Sequence, residues 1–298
     1  MLKLGGLCVA LMLASLQVSA QESDTRSDIE PKVCSNCAAW NAPREPFLVA
    51  ANSWYVGPGG LAAVLIDTGS GLLLIDAGLP QSAAQIATHI RQLGFELAQL
   101  RWILNSHAHY DHAGGIAALQ RWSGATVIAS RRGAEALQAG DAPPEDPQAG
   151  FGAFNQFPKV AEVQVVADKQ TFRLGQLSIT AHYTPGHTPG GTTFTWPVCD
   201  AKGDCLDVVY VDSLSAVSTE DYRFLDHPPV IAALRASIAR VAELPCDVAI
   251  STHPQAVDLF RRQAEDRLLD VDACRRLAQT AERGLSERLQ REATDNAH

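Results

Sequence analysis

The chain has 298 residues, 46% of them hydrophobic and 19% charged, enough apolar content to bury a full core. A disordered or collagen-like chain is thereby excluded. Lys and Arg number 24 against 33 Asp and Glu, a net charge of −9, which excludes a broad electrostatic surface for nucleic acid.

Residues 1–20 read as an export signal: Lys3 starts it, Leu4 to Leu16 is largely apolar, and Val18-Ser19-Ala20 offers small residues for cleavage before Gln21. The segment is too short to remain as a membrane span, and no later run of about 18 apolar residues follows. The mature protein is therefore expected to start at Gln21, in the periplasm, with no membrane contact. Export turns the remaining cysteines toward disulfides. Spacing favours three local pairs, Cys34 with Cys37, Cys199 with Cys205 and Cys246 with Cys274. A redox role competes for Cys34-Ser35-Asn36-Cys37, but Pro31, Pro43 and Pro46 mark residues 21–46 as an irregular arm. A zinc ribbon would need a second such pair, which the sequence lacks.

Residues 47–298 read as one catalytic domain. Phe47 to Ala51, Ser53 to Val56, Ala62 to Asp67 and Leu72 to Asp76 have strand character, separated by Gly57-Pro58-Gly59-Gly60 and Gly69-Ser70-Gly71 turns. Ser82 to Leu93 follows with a helical period ended by Gly94. Strand Trp102 to Asn105, helix Gly115 to Trp122, strand Thr126 to Ala129 and helix Arg132 to Ala139 complete the first half. The long loop from Gly140 to Pro158 carries Phe151 and Phe154 and reads as a lid. The second half repeats the order: strands near Val163 to Val166, Thr171 to Arg173, Leu177 to Tyr183, Thr192 to Trp196 and Val208 to Val211. Helix Val230 to Leu244, strand Asp247 to Ile250 and helices at Asp258 to Leu269 and Asp272 to Leu289 end the chain. Two halves with one order predict an α/β fold with two sheets face to face and helices outside, a four-layer αββα sandwich. Trp54, Trp102 and Trp196 are expected in its core.

The sharpest signal is His107-Ala108-His109-Tyr110-Asp111-His112, directly after the apolar Ile103-Leu104. On a strand-end loop His107 and His109 project to one side, and Asp111 and His112 follow as the backbone turns into a helix. Three imidazoles and a carboxylate exceed what one catalytic zinc takes from protein, so two metals are implied. His187, in Thr184-Pro185-Gly186-His187-Thr188-Pro189-Gly190-Gly191, and His253, after Val248-Ala249-Ile250, also sit at strand ends and are expected to complete the ligand set. His89, His182, His227 and His298 sit in ordinary settings.

With these residues in view the chain resembles the metallo-β-lactamase superfamily of zinc hydrolases, from Trp54 to His253. The runs from Asn105 to Gly115 and from Val211 to Ala216 look most like class B β-lactamases of the third subclass. The resemblance implies the metallo-β-lactamase fold. It also implies one zinc on His107, His109 and His187 and a second on Asp111, His112 and His253. The implied reaction is hydrolysis of the β-lactam ring amide by a metal-activated hydroxide that Asp111 orients, conferring antibiotic resistance. Ser213 and Ser215 would bind the substrate carboxylate. Thioesterases of the glyoxalase type, lactonases and phosphodiesterases of the superfamily instead bridge their metals with an Asp, here Asp212. Neighbouring residues point to opposite faces, so a one-residue register decides. Alignment with the lactamases favours Ser213 facing the site and Asp212 supporting the turn behind it. A periplasmic zinc-binding protein is the non-enzymatic alternative. The chain has no Ser-x-x-Lys motif, and Gly69-Ser70-Gly71 lacks the strand-to-helix turn of a nucleophile elbow. Its expected partner is a small-molecule β-lactam, with the protein acting as a monomer.

Overall fold

The computed structural model of the protein describes residues 27–199 and 203–295, so the expected export signal lies outside the described residues. In chain order the elements are α1 (Cys37–Trp40), β1 (Phe47–Ala50), β2 (Ser53–Tyr55), β3 (Val64–Asp67), β4 (Leu72–Ile75), α2 (Ser82–Gln92) and β5 (Leu100–Leu104). Then come α3 (Tyr110–Ala113), α4 (Ile116–Ser123), β6 (Thr126–Ala129), α5 (Arg131–Ala139), β7 (Val163–Val165), β8 (Thr171–Leu174) and β9 (Leu177–Tyr183). The chain closes with β10 (Thr192–Cys199), β11 (Cys205–Val211), α6 (Pro228–Glu243), β12 (Val248–Ser251), α7 (Leu259–Ala264) and α8 (Ala273–Asp295).

The strands form two sheets, one ordered β1-β2-β3-β4-β5-β6-β7 and one ordered β12-β11-β10-β9-β8. Strand alternation then builds the layers. In β4, Leu73 and Ile75 enter the core between the sheets, where Trp196 and Tyr210 also lie. Leu72 and Leu74 turn outward onto Ile86, Ile90 and Leu119 of α2 and α4. In β11, Val208 and Tyr210 face inward. Val209 and Val211 face outward onto Leu234 and Ile238 of α6 and Leu285 of α8. The result is the predicted αββα sandwich, with strands buried on both faces reading as continuous apolar runs.

Local chemistry sets several boundaries. Ser130 caps α5 by accepting from Gly133 N at 3.1 Å, and Gly140 ends it in the left-handed region at φ 69°. Strand β10 runs through Pro197 to Cys199, past the expected end at Trp196. Its last pairing with β9 is at Thr195, so Pro197 lies where only β11 is a neighbour. The helix expected over Asp258 to Leu269 is only Leu259–Ala264, because Asp258 (φ 51°) and Asp266 (φ 52°) are left-handed and break the pattern at both ends. Trp196 is buried, whereas Trp54 and Trp102 are half-buried and pack at the edges of the two cores. The cysteines form the three local disulfides Cys34–Cys37, Cys199–Cys205 and Cys246–Cys274. The arm bearing the first of them rests on the helical side of the first sheet through Cys37 and Trp40.

Parallel pairing aligns the C-terminal ends of β4, β5 and β6, and likewise those of β11 and β12. The hydrogen bonds Thr192 N to Ser106 O and Ala62 N to Thr252 O, each 2.8 Å, stitch the two sheets together at this end. The loops after β5, β9, β11 and β12 therefore meet there, as expected of a crevice at strand carboxyl ends. Among the described residues no helix is long and apolar enough to cross a membrane.

Candidate metal centre

The structure brings every sequence-predicted ligand to this one edge. His107, His109 and His187 offer donor atoms that all lie within 4.8 Å of one another, as do His107, Asp111 and His112. His253 stands beside the second group, with Nε2 3.5 Å from Asp111 Oδ2 and its ring 4.9 Å from that of His112.

Each histidine of the first group is held from behind. His107 Nδ1 lies 2.7 Å from Asp212 Oδ1. His109 Nε2 lies 3.2 Å from both oxygens of Asp146. His187 Nδ1 donates to the carbonyl of Ser215 at 3.0 Å and lies 3.1 Å from its hydroxyl. These partners fix the tautomers and leave Nε2 of His107, Nδ1 of His109 and Nε2 of His187 to face a common point. Gln148 Nε2 marks that point, 3.5 Å from His109 Nδ1 and 3.4 Å from His187 Nε2.

The residues fit a metal cation. His107 Nε2 and His112 Nδ1 are buried with no hydrogen-bond partner, a costly state for a polar atom unless something binds it. Charge and burial agree with the donor set. Burial and then the neighbouring imidazoles push His107 well below the ordinary histidine range. Burial and then His109 lower His187 to about 3, and burial and then His112 lower His253 to about 4, so these rings are neutral donors near pH 7. Burial opposes the charge of Asp111, but His112, followed by His253 and His109, outweighs it and holds the carboxylate well below its usual range.

Asp212 and Ser213 split as neighbouring residues on opposite sides. Asp212 is fully buried behind His107, and its Oδ2 packs so closely on Gly191 that no side chain would fit there. Ser213 Oγ lies 3.0 Å from Ser215 Oγ, 8% of the residue remaining exposed. Phe151 and Phe154 of the long loop are 42% and 39% exposed, so neither is a core anchor. That loop folds into a helical turn, Ala149–Asn155, broken at Gly152 (φ 56°).

Sequence reasoning missed three groups. Asp76, just beyond β4, accepts from Ser106 N (2.8 Å), Ser106 Oγ (2.5 Å), Asn105 Nδ2 (3.0 Å) and Tyr210 OH (2.9 Å), and so shapes the loop that presents His107. Asp146 and Gln148 come from the long loop, where acidic and amide residues among prolines carry no spacing signal.

Residues 50–201 match the family model of the metallo-β-lactamase superfamily. The structure is similar to that of MEM-A1, a subclass B3 metallo-β-lactamase from a soil metagenome library, at 46% identity over 86% of this chain and 99% of that one, with a TM-score of 0.82. It is similar also to the metallo-β-lactamase SMB-1 bound to 2-mercaptoethanesulfonate, at 44% identity over 85% of this chain and 99% of that one, TM-score 0.81. Among curated relatives, a hydroxyacylglutathione hydrolase of Anaeromyxobacter dehalogenans is 30% identical over 48% of this chain and 44% of its own length. The chain spans about half the length of the curated relatives it matches. The fold, the six converging residues and these likenesses agree: the chain belongs to the metallo-β-lactamase superfamily and is most like its subclass B3 members.

Proposed function

We propose that the protein hydrolyses the ring amide of β-lactam antibiotics, penicillins, cephalosporins and carbapenems, and so confers resistance to them. It would hold two zinc ions, one on His107, His109 and His187 and one on Asp111, His112 and His253. The observation that carries the reading is the convergence of three back-supported imidazoles on one point, in a chain 44–46% identical to β-lactamases over nearly their whole length. Zinc in such a site supplies a Lewis acid and lowers the pKa of water from 15.7 to about 7.

The chain's own residues do the rest. Asp111, held ionised, accepts a hydrogen bond from the attacking water and aims it at the carbonyl carbon. Ser213 donates to the substrate carboxylate, and Ser215 both supports His187 and extends that contact. Phe151 and Phe154 offer apolar surface to the ring substituents. The domain arrangement fits an exported enzyme, with a signal over 1–20, an arm over 21–46 and the catalytic domain from residue 47. Three disulfides among the described residues suit the oxidising periplasm.

The test is the absorbance loss of a carbapenem on adding the purified protein, repeated after a chelator and after zinc is restored. Chelator-sensitive ring opening with two zinc ions per chain supports the proposal. Two zinc ions without ring opening would sink it. Lactones and glutathione thioesters are then the substrates to assay, and inertness toward them too leaves a zinc-binding protein.

A further inference from the structure

The supports behind the first three histidines do not have the same origin. Asp212 and Ser215 follow directly from β11, in the stitched end of the two sheets. Asp146 comes from the 140–158 loop, between α5 and β7, which no strand ladder holds. Yet its side chain is only 1% exposed, and both oxygens face His109 Nε2.

We propose that Asp146 is a positioning residue through which the 140–158 loop completes the metal centre, so that metal binding at His109 and docking of this loop reinforce each other. The inference rests on the metal-site reading above and deepens it.

Three observations carry it. First, a carboxylate on Nε2 keeps the proton there and leaves Nδ1 as the donor, which raises the basicity of the ligand. An undocked loop would leave His109 free to rotate and to exchange tautomers. Second, Asp146 organises its own loop. It accepts from Gln148 N at 2.8 Å, and its carbonyl accepts from Ala149 N at 2.9 Å. Those bonds aim Gln148 into the gap between His109 and His187. Third, apart from Gln148, the other anchors of the loop reach no candidate ligand: Glu145 pairs with Arg132, and Phe157 is buried in the first core. Thr219 N donates to Pro147 O at 3.2 Å, Lys32 Nζ donates to Gln156 O at 2.6 Å, and Phe154 packs on Tyr110 at 5.1 Å between ring centroids. Burying a carboxylate is costly without a partner that favours its charge, and His109 is the side chain in that position. Linkage then makes the effect reciprocal: the factor by which loop docking raises metal affinity is the factor by which metal raises loop docking.

The experiment uses the full mature chain, metal-free and zinc-loaded. Hydrogen exchange of residues 146–156 reads the loop, and competition with a chromophoric chelator reads zinc affinity. Zinc is expected to slow exchange in this loop in the unaltered protein, a result that depends on no variant folding. Asp146→Ala is expected to weaken zinc binding about ten- to a hundredfold and to abolish that protection, with Asp146→Asn, which keeps one acceptor oxygen, in between. Asp212→Ala should lose comparable affinity yet keep the protection at saturating zinc. Equal exchange with and without zinc, or unchanged affinity in Asp146→Ala, overturns the coupling. An unaltered protein that takes up no zinc overturns the metal reading and the coupling together. Zinc uptake with loop protection but no ring opening upholds the coupling and overturns only the proposed substrate.

Discussion

Asp212 Oδ1 and His107 Nδ1 lie 2.7 Å apart with both side chains fully buried. This pair places the carboxylate on the far side of the imidazole from the unpartnered Nε2. An aspartate engaged there is placed to support His107 as a ligand and not to bridge two cations, the role it would take in the thioesterase and lactonase relatives. Asp212→Ala is expected to lower zinc affinity about ten- to a hundredfold, whereas Asp212→Asn, which still presents an oxygen to the Nδ1 proton, loses less. Chelator competition on the two variants measures the order, and equal losses would show that charge alone matters.

Asp76 predicts a different kind of failure. Its carboxylate accepts four hydrogen bonds from Asn105, Ser106 and Tyr210 while fully buried. Asp76→Ala leaves Ser106 N and Oγ without their acceptor, while Asn105 Nδ2 keeps the His107 carbonyl and Tyr210 OH keeps the Ala62 carbonyl, and a loss of about 2–4 kcal/mol in unfolding free energy is expected by denaturant titration. Asp76→Asn should cost much less, because burial already pushes this carboxyl up and the Ser106 and Tyr210 hydroxyls can turn to accept from an amide.

Asp76 also shows where sequence reading stops. The six candidate ligands were legible because His107, His187 and His253 lie within four residues of the end of a strand, and Asp111 and His112 follow His107 in one short run. The sandwich was legible from periodicity, and Gly94, read as the end of the Ser82 to Leu93 helix, follows α2 at a left-handed φ of 86°. The supports behind the ligands were not. Asp146 reaches His109 across 37 residues and Asp76 reaches Tyr210 across 134, and nothing local records such pairings. The helix expected from Asp258 to Leu269 failed for the converse reason, since apolar period alone does not reveal that Asp258 and Asp266 adopt left-handed backbone.

Ser213→Ala tests the proposed substrate contact apart from the metal site. The Ser213 hydroxyl touches Ser215 Oγ but no imidazole, whereas Ser215 also touches His187. Ser213→Ala is expected to raise KM for a carboxylate-bearing β-lactam about fivefold, one hydrogen bond of about 1 kcal/mol, with kcat and zinc content unchanged. Ser215→Ala should lower zinc affinity as well, though modestly, because the Ser215 carbonyl remains 3.0 Å from His187 Nδ1.

Helix α8 ties down residues 218–225 through Glu292 and Arg288, and this tie is expected to be pH-dependent. Glu292 is buried and accepts from Phe224 N (3.0 Å), Leu225 N (2.9 Å) and Arg288 Nε (2.6 Å). Arg288 in turn donates to Ser218 Oγ and Tyr222 O at 2.8 and 2.9 Å, fixing the segment on which the 140–158 loop rests. Burial opposes the charge of Glu292, but the two backbone donors and Arg288 outweigh it and lower its pKa. A carboxylate depressed in the folded state stabilises above its unfolded pKa, and that contribution is lost as pH falls through the folded value. Glu292→Gln should therefore cost about 1–3 kcal/mol at pH 7, and the gap should narrow as pH falls past the unfolded glutamate value and close once it passes the lower folded one. Thermal unfolding of both proteins across that range checks the sign.

Trimming Gly150 to Phe154 tests the outer part of the same loop. Phe151 and Phe154 are 42% and 39% exposed, their rings 6.3 Å apart, and Phe154 packs against Tyr110 beside the ligand run. Their free surface suits apolar substituents of a bound substrate. Each ring that covers such a group contributes about 1 kcal/mol, so removing both is expected to raise KM roughly thirtyfold. Asp146 and Gln148 stay in place, and zinc content should hold at the value of the unaltered protein. In the proposed reaction the chemistry takes place at the metal ligands and not at this tip, so kcat should fall by much less than KM rises. Steady-state kinetics on cephalosporins with large and small side groups measures both. Equal losses in kcat and KM for both substrates would show that the aromatic tip sets the geometry of the site and does not merely cover what binds there.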